Sequence, residues 1–329
     1  MKKLINDVDF MLVESLDGFA AAHADIVTLG EAGQFVQRRT LKPGKVGLIS
    51  GGGSGHEPLH TGFVGYGMLD AACPGQVFTS PTPDQMLAAA QAVDTGAGVL
   101  FIVKNYSGDM MNFQMAAEMV GCDNETVIVN DDVAVENSTY TTGRRGVAGT
   151  LVVEKILGAA AERGDTLAAP KALGDSINKA TASMGVALTS CTVPAAGKPT
   201  FQIGADEMEM GVGIHGEPGR RRVKLASADD IAAELTDAIL KDLSLKRGQE
   251  VLLLVNGFGG TPLLELYLMV NAVRKVLAGA NVKVARYLTG SYVTSLEMAG
   301  CSVTVSALDA ETLTLWDAPV HAAALRWGM

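Results

Sequence analysis

Cysteine is scarce and scattered: Cys73, Cys122, Cys191 and Cys301 are the four in 329 residues, and no two form a CxxC pair. Neither a zinc knuckle nor a disulfide framework is written in such spacing, and a reducing compartment suits it. Positive charge is in deficit, with 26 Lys and Arg against 36 Asp and Glu, a net charge of −10 and a pI near 5.0. The field of such a molecule repels a polyanion, which argues against nucleic acid as a partner. The one basic run, Arg220-Arg221-Arg222, reads as a solvated surface cluster. Long apolar runs are missing too: no 18 apolar residues stand together, and Asp7 and Asp9 interrupt any signal-peptide core behind Lys2 and Lys3. A cytoplasmic protein without a membrane segment is the expectation.

What the chain has in quantity is aliphatic residues and glycine. Hydrophobic residues make up 48% with only 5% aromatic, and there are 38 glycines, enough for buried cores joined by many tight turns. Short Val/Ile/Leu runs alternate with stretches of helical period, the pattern of βαβ units. The expected fold is α/β, with two α/β domains, each a sheet flanked by helices, spanning 1–183 and 184–329. Strands are predicted at 46–50, 99–104, 126–130, 184–189, 250–256, 282–288 and 301–307. Thr82-Pro83-Asp84 caps a helix that Gly96 closes, Asp109 opens a second, and 146–163 forms a long amphipathic one. Ser227 with Asp230 resembles a capping box, Thr261-Pro262 starts a further helix, and 309–316 forms a last short one.

The most informative segment is Ser50-Gly51-Gly52-Gly53-Ser54-Gly55-His56-Glu57-Pro58, directly after a predicted strand. Its glycines let backbone amides approach a ligand. A P-loop would need Lys and a hydroxyl residue where His56 and Glu57 stand. A dinucleotide fingerprint would need glycine where His56 or Pro58 stands. His56-Glu57-Pro58-Leu59-His60 has the letters of a zinc-protease motif, but that motif works only in a continuous helix, which Pro58 and the preceding glycines oppose. His60 reads as a local packing or capping residue.

Two further places attract notice. Lys104-Asn105-Tyr106-Ser107-Gly108-Asp109 lies between a predicted strand and helix, where α/β sheets usually present ligand groups. Asp109 suits a helix N-cap as well as a ligand role, and Lys104 suits a buried structural cation as well as a polar arm. Cys73 to Ser80 ends in two hydroxyls and is equally well explained by a simple turn. In the second half, Gly211-Val212-Gly213-Ile214-His215-Gly216-Glu217-Pro218-Gly219 surrounds one histidine with glycine, which implies that something comes close to it. His23 and His321 have no such setting.

These motifs, in this order and over nearly the whole length, resemble the dihydroxyacetone-binding subunits of bacterial dihydroxyacetone kinases that draw phosphate from phosphoenolpyruvate through the phosphotransferase system. The matching stretches also include the Met1-Lys2-Lys3-Leu4-Ile5-Asn6 start, 78–83, 131–135, 143–147, 191–199 and the ending Trp316-Asp317-Ala318-Pro319-Val320-His321. The resemblance implies that His215 adds through a ring nitrogen to the substrate carbonyl to form a hemiaminal. It implies that His56 and Asp109 act as acid and base, and that Gly53, Ser54, Gly55, Ser80 and Lys104 contact the sugar. It further implies a homodimer that binds no cofactor itself, ADP with magnesium being held on a separate helical kinase subunit that a phosphotransferase subunit recharges. Relatives using free ATP carry that helical domain fused at the C-terminus, whereas this sequence stops at Met329, so a separate partner is expected. The stretches 220–227 and 243–249 are compact beside longer members, which bears on partner docking. Some members are sugar-sensing transcriptional coactivators that have lost catalytic side chains, and a four-carbon ketose such as erythrulose is an alternative substrate. His56, Asp109 and His215 are all present here.

Overall fold

The computed structural model describes residues 2–134, 143–217 and 219–329, so Met1, Val135 and Pro218 of the motifs above lie outside the described residues. Packing divides the chain into two units: Met1–Ile128 with Val153–Ser176 and Thr312–Met329, and Val129–Val152 with Ile177–Glu311. In chain order the elements begin α1 (Met11–Ala22), β1 (Val27–Leu29), β2 (Val36–Arg38), β3 (Gly47–Ser54), β4 (Gly65–Tyr66), β5 (Ala71–Val77), α2 (Pro83–Val93), β6 (Val99–Lys104), α3 (Ser107–Met119) and β7 (Asn124–Val129). There follow α4 (Gly149–Arg163), α5 (Ala168–Lys179), β8 (Thr181–Ala187), β9 (Glu207–Met210), β10 (Arg221–Lys224), α6 (Ala228–Leu243) and β11 (Glu250–Gly257). The chain finishes with α7 (Leu263–Gly279), β12 (Lys283–Gly290), β13 (Gly300–Ala307), α8 (Ala310–Asp317), β14 (Val320–Ala322) and β15 (Arg326–Trp327).

Among the described residues, the first unit holds a six-stranded sheet in the order β1-β2-β5-β3-β6-β7 and a small sheet β15-β14-β4. β3 pairs parallel with both β5 and β6, and every residue of β3 and β6 is buried, as central strands covered on both faces must be. Cys73-Pro74-Gly75, open to reading as a turn, lies inside β5. The chain turns only after it: a Cβ on Gly75 would stand 2.0 Å from the Thr79 carbonyl, so glycine is what lets the backbone fold back there. α2 begins as the sequence predicts, with the Thr82 amide donating to Gln85 Oε1 at 2.9 Å and Pro83 in the first turn. Its buried Met86, Ala89, Ala90 and Val93 recur at the 3, 4 and 7 spacing of one helix face. α3 has its N-cap at Tyr106, three residues before Asp109, so Asp109 belongs to the first turn and is not the cap.

The second unit is built on the order β10-β9-β8-β13-β11-β12. The predicted βαβ logic holds for β11-α7-β12, which is parallel, but β11 with β13, β13 with β8, and β8 with β9 are antiparallel. Apolar runs alone do not tell the two apart when both faces of a strand are covered. A cut after residue 183 falls within β8, between Ser183, paired with Thr304, and Met184, paired with Val303. α6 is capped as expected, the Asp230 amide donating to Ser227 Oγ at 3.2 Å. Of the arginine run, Arg221 and Arg222 lie on the exposed strand β10, where they meet Glu234 and the buried Glu209, while Arg220 precedes the strand and donates to the Ala134 and Val133 carbonyls at 2.8 and 2.6 Å.

Candidate active site

In the first unit the carboxyl ends of β3 and β6 and the first turn of α3 bring several predicted residues together. Gly51 to Ser54 are not a loop but the end of β3, and their missing Cβ atoms serve the protein's own packing. A Cβ on Gly51 would stand 2.6 Å from the Cys73 carbonyl, and one on Gly53 would stand 2.5 Å from the Thr79 amide. At Gly52 a Cβ would stand 2.2 Å from Lys104 Nζ, so this glycine makes room for an ammonium group. Ser54 Oγ donates to the Gly75 carbonyl at 2.7 Å, and the Gly55 amide donates to the Glu57 carboxylate at 3.0 and 3.1 Å. His56 is 1% exposed and stacks on Phe78, ring centroids 5.1 Å apart. Phe78 holds a left-handed backbone (φ +57°), rare for a bulky residue, and its amide donates to the Ser54 carbonyl at 2.9 Å. Ser80, half-buried, lies beside the start of α3, its Cβ 3.4 Å from where a Cβ on Gly108 would be.

Lys104 is fully buried at the end of β6. Its ammonium donates to the Gly51 carbonyl at 3.2 Å and to His60 Nε2 at 2.9 Å, and it stands 3.7 Å from Asp109 Oδ2. Since Lys104 supplies the proton to Nε2, neutral His60 carries its own on Nδ1, which donates to Glu154 Oε1 at 2.6 Å. Burial, then the charges of Lys104 and His56, hold the His60 imidazole well below its ordinary range, in keeping with that neutral tautomer. Burial also lowers Lys104, against the pull of Asp109 and Glu154, and pushes Glu154 up to about 8. The segment 56–60 consists of bends and turns, not helix, and both nitrogens of His60 are engaged by protein groups, a geometry unlike that of a zinc-protease motif.

In the second unit His215 lies on the loop between β9 and β10, its side chain 19% exposed. Glu217 grips it twice, accepting from the His215 backbone amide at 2.9 Å and facing Nδ1 at 3.0 Å. Burial would raise Glu217, but the charges of His215 and Arg145 and the hydrogen bond from His215 outweigh it and hold this carboxyl well below the usual carboxylate range. Arg145 is 1% exposed, donates to Asp132 Oδ2 at 2.7 Å and to the Gly211 carbonyl at 2.8 Å, and is thereby locked. A Cβ on Gly213 would stand 1.9 Å from Glu217 Oε2 and 2.6 Å from Arg145 Nη1. What comes close to the glycine-rich loop is thus its own orienting carboxylate and the arginine behind it. Asp131 next door accepts from the Val147 and Gly149 amides at 2.9 and 2.7 Å and from the Ser183 hydroxyl, capping α4 with negative charge.

The Dak1 domain model matches residues 17–324. The chain belongs to the Dak1 domain family. It is 51% identical to the dihydroxyacetone-binding subunit DhaK of PTS-dependent dihydroxyacetone kinase 1 of Listeria innocua, over 94% of this chain and 95% of that one. Among solved structures, the dihydroxyacetone kinase operon co-activator Dha-DhaQ aligns with TM-score 0.90 at 34% identity, covering 95% of this chain and 98% of that one. The C. freundii dihydroxyacetone kinase in complex with AMP-PNP and Mg2+ aligns with TM-score 0.91 at 33% identity, covering 99% of this chain and 61% of that one.

Within this Dak1 domain the first unit brings Lys104 to Asp109 and Ser80 to the start of α3, with His56 and Ser54 joined through Phe78, while His215 is set by residues of the second unit. Sequence reasoning gave no role to Glu217, Arg145, Asp132 or Glu154, and read His60 as local packing. Glu217 had a signal, two residues from His215 among glycines. Glu154 had only its position on the buried face of an apolar helix, where an ionisable group needs a partner.

Proposed function

We propose that this chain is the dihydroxyacetone-binding subunit of a phosphotransferase-system-dependent dihydroxyacetone kinase, and that it holds the triose as a hemiaminal on His215. The observation that carries the reading is the double grip of Glu217 on His215. A carboxylate at Nδ1 puts the proton there and the nucleophilic lone pair on Nε2. Attack by Nε2 on the carbonyl carbon forms the C–N bond and breaks the C=O π bond. The oxygen takes up a proton and becomes a hydroxyl, and the ring becomes an N-substituted imidazolium whose Nδ1–H remains on Glu217. A triose has few groups to grasp, so a reversible covalent bond fixes its orientation and selects carbonyl compounds over polyols such as glycerol.

In this reading His56 supplies the proton to the carbonyl oxygen, and Asp109 accepts the proton of the hydroxyl that attacks the phosphoryl group. Gly53, Ser54, Gly55, Ser80 and Lys104 surround the sugar. The phosphoryl donor, ADP recharged by a phosphotransferase subunit and held with magnesium, sits on a separate helical subunit. Support comes from Gly51 to Ser54 being packed strand rather than a phosphate cradle, and from the larger C. freundii chain, solved with AMP-PNP and Mg2+, of which this one covers 61%. The same reading takes the protein as a cytoplasmic homodimer. Among the described residues, no helix is long and apolar enough to cross a membrane.

The test is carbon-13 NMR of dihydroxyacetone labelled at its carbonyl carbon, followed by turnover with the helical subunit and a phosphoryl donor. A tetrahedral carbon in wild type that is lost in His215→Ala, together with dihydroxyacetone phosphate as product, is expected. A carbon that stays trigonal at saturation refutes the hemiaminal. Similarity to the co-activator favours a second reading, a sugar sensor without kinase activity, and an adduct without product in the presence of a competent partner would establish it. Competition kinetics against erythrulose tests the choice of ketose.

A further inference from the structure

We propose that His60 and Glu154 are positioning residues for phosphoryl transfer, acting through Lys104, which they hold against Asp109 as a fixed ammonium group. The inference rests on the reading of Asp109 as the base above.

The geometry leaves Lys104 little freedom. A buried ammonium costs several kcal/mol unless its donors are all engaged. Lys104 has three N–H donors and, around it, the Gly51 carbonyl at 3.2 Å, His60 Nε2 at 2.9 Å and Asp109 Oδ2 at 3.7 Å. Two of these acceptors are fixed: Gly51 belongs to β3, and His60 is clamped by Glu154 at 2.6 Å from α4. The third N–H is therefore directed towards Asp109, where a hydroxyl of the sugar is deprotonated. The chain of donors runs one way, from Lys104 to His60 to Glu154. A neutral imidazole accepts from an ammonium at one nitrogen and donates to a carboxylate from the other, so it can relay the orientation of Glu154 to Lys104. Gly52 completes the arrangement, since a Cβ there would stand 2.2 Å from Nζ and 3.5 Å from His60 Nε2. None of this is needed for a covalent bond at His215, so the array serves the phosphoryl-transfer step and not capture.

Around Lys104 the charged and titratable groups are Asp109 on α3, Glu154 on α4, and His60 and His56 after β3. Glu154 supports the ammonium through its charge once it is ionised, above about pH 8, and through the His60 hydrogen bond at every pH. These two contributions separate in two variants. Glu154→Leu removes both, whereas Glu154→Gln keeps an acceptor for His60 Nδ1 and loses the charge.

The experiment measures kcat against pH with the helical subunit present, and hemiaminal formation by carbon-13 NMR, for wild type and both variants. Glu154→Leu is expected to lose about 10–100-fold in kcat at neutral pH, the effect of one displaced charged hydrogen bond, with the adduct intact. Glu154→Gln is expected to restore neutral-pH turnover and to move the alkaline limb of kcat to lower pH, because Lys104 then gives up its proton more readily. Adduct and turnover falling together in Glu154→Leu, or an alkaline limb unchanged in Glu154→Gln, overturns the proposal. Glu154→Gln preserves size and hydrogen bonding, so it decides the matter even where the leucine variant fails to fold. Failure of wild type to form adduct or product instead refutes the function proposed above and is distinguishable from either outcome.

Discussion

Replacing Glu217 by Gln changes almost nothing in volume and yet removes what the loop is built around. A carboxylate offers two acceptor oxygens, and both are in use: Oε2 takes the His215 amide at 2.9 Å and Oε1 faces Nδ1 at 3.0 Å. An amide offers one acceptor, so its NH2 must confront either the backbone N–H or the ring N–H. A hydrogen bond to a charged group is worth about 1.5–3 kcal/mol, and the adduct's imidazolium needs that charge more than the starting imidazole does. The hemiaminal equilibrium is therefore expected to weaken by roughly 10–150-fold. Titration of carbonyl-labelled dihydroxyacetone by NMR reads that constant directly, and thermal melting establishes that the variant is folded. Because Glu217 is held well below the usual carboxylate range, it stays ionised throughout mildly acid and neutral pH, so the loss should be constant between pH 6 and 8. A folded Glu217→Gln protein that forms the adduct with wild-type affinity would refute the claim that this carboxylate orients and charges the histidine.

Three other outcomes are expected. Asp109→Asn keeps the adduct and loses turnover by about 10²–10⁴-fold, measured with the helical subunit, as removal of a general base does. Gly52→Ala puts a methyl group 2.2 Å from Lys104 Nζ in a strand that is wholly buried, and should lower stability by about 1–3 kcal/mol in denaturant unfolding while also lowering kcat. Glu154, raised by burial to about 8 in the folded protein, contributes stability that is fully present below its unfolded value of 4.5 and is lost as pH rises through 8. The decline of the melting temperature between pH 5 and 8 should therefore be shallower in Glu154→Gln than in wild type.

Much of the secondary structure was legible because it is encoded locally. β6 falls where an uninterrupted Val/Leu/Phe/Ile run predicted it, α2 begins where Thr82 followed by Pro83 predicted it, and α6 where Ser227 with Asp230 three positions on predicted it. β5 was not legible, because Cys73-Pro74-Gly75 has the chemistry of a turn and its pairing with β3 is a tertiary fact. The same division runs through the candidate site. The glycines that flag His56 and His215 are visible in one dimension, but His60 finds Glu154 across 94 residues and Arg145 reaches the Gly211 carbonyl across 66. No local pattern announces such pairs. Burial supplies the rule that does: an ionisable residue on an apolar face must have an opposite partner, and the partner's identity is set by the fold.

The glycines then take on a meaning different from the one their clustering suggests. In both motifs the room left by a missing Cβ is filled by a charged side chain of the protein itself, Lys104 at Gly52 and Glu217 with Arg145 at Gly213. A ligand that must be gripped through very few atoms calls for groups held rigidly, and rigid charged groups must be buried against close backbone. Glycine at these positions is therefore a condition for placing the charge. Any larger residue would displace Lys104 or Glu217, and the effect on the sugar would follow from that displacement without direct contact.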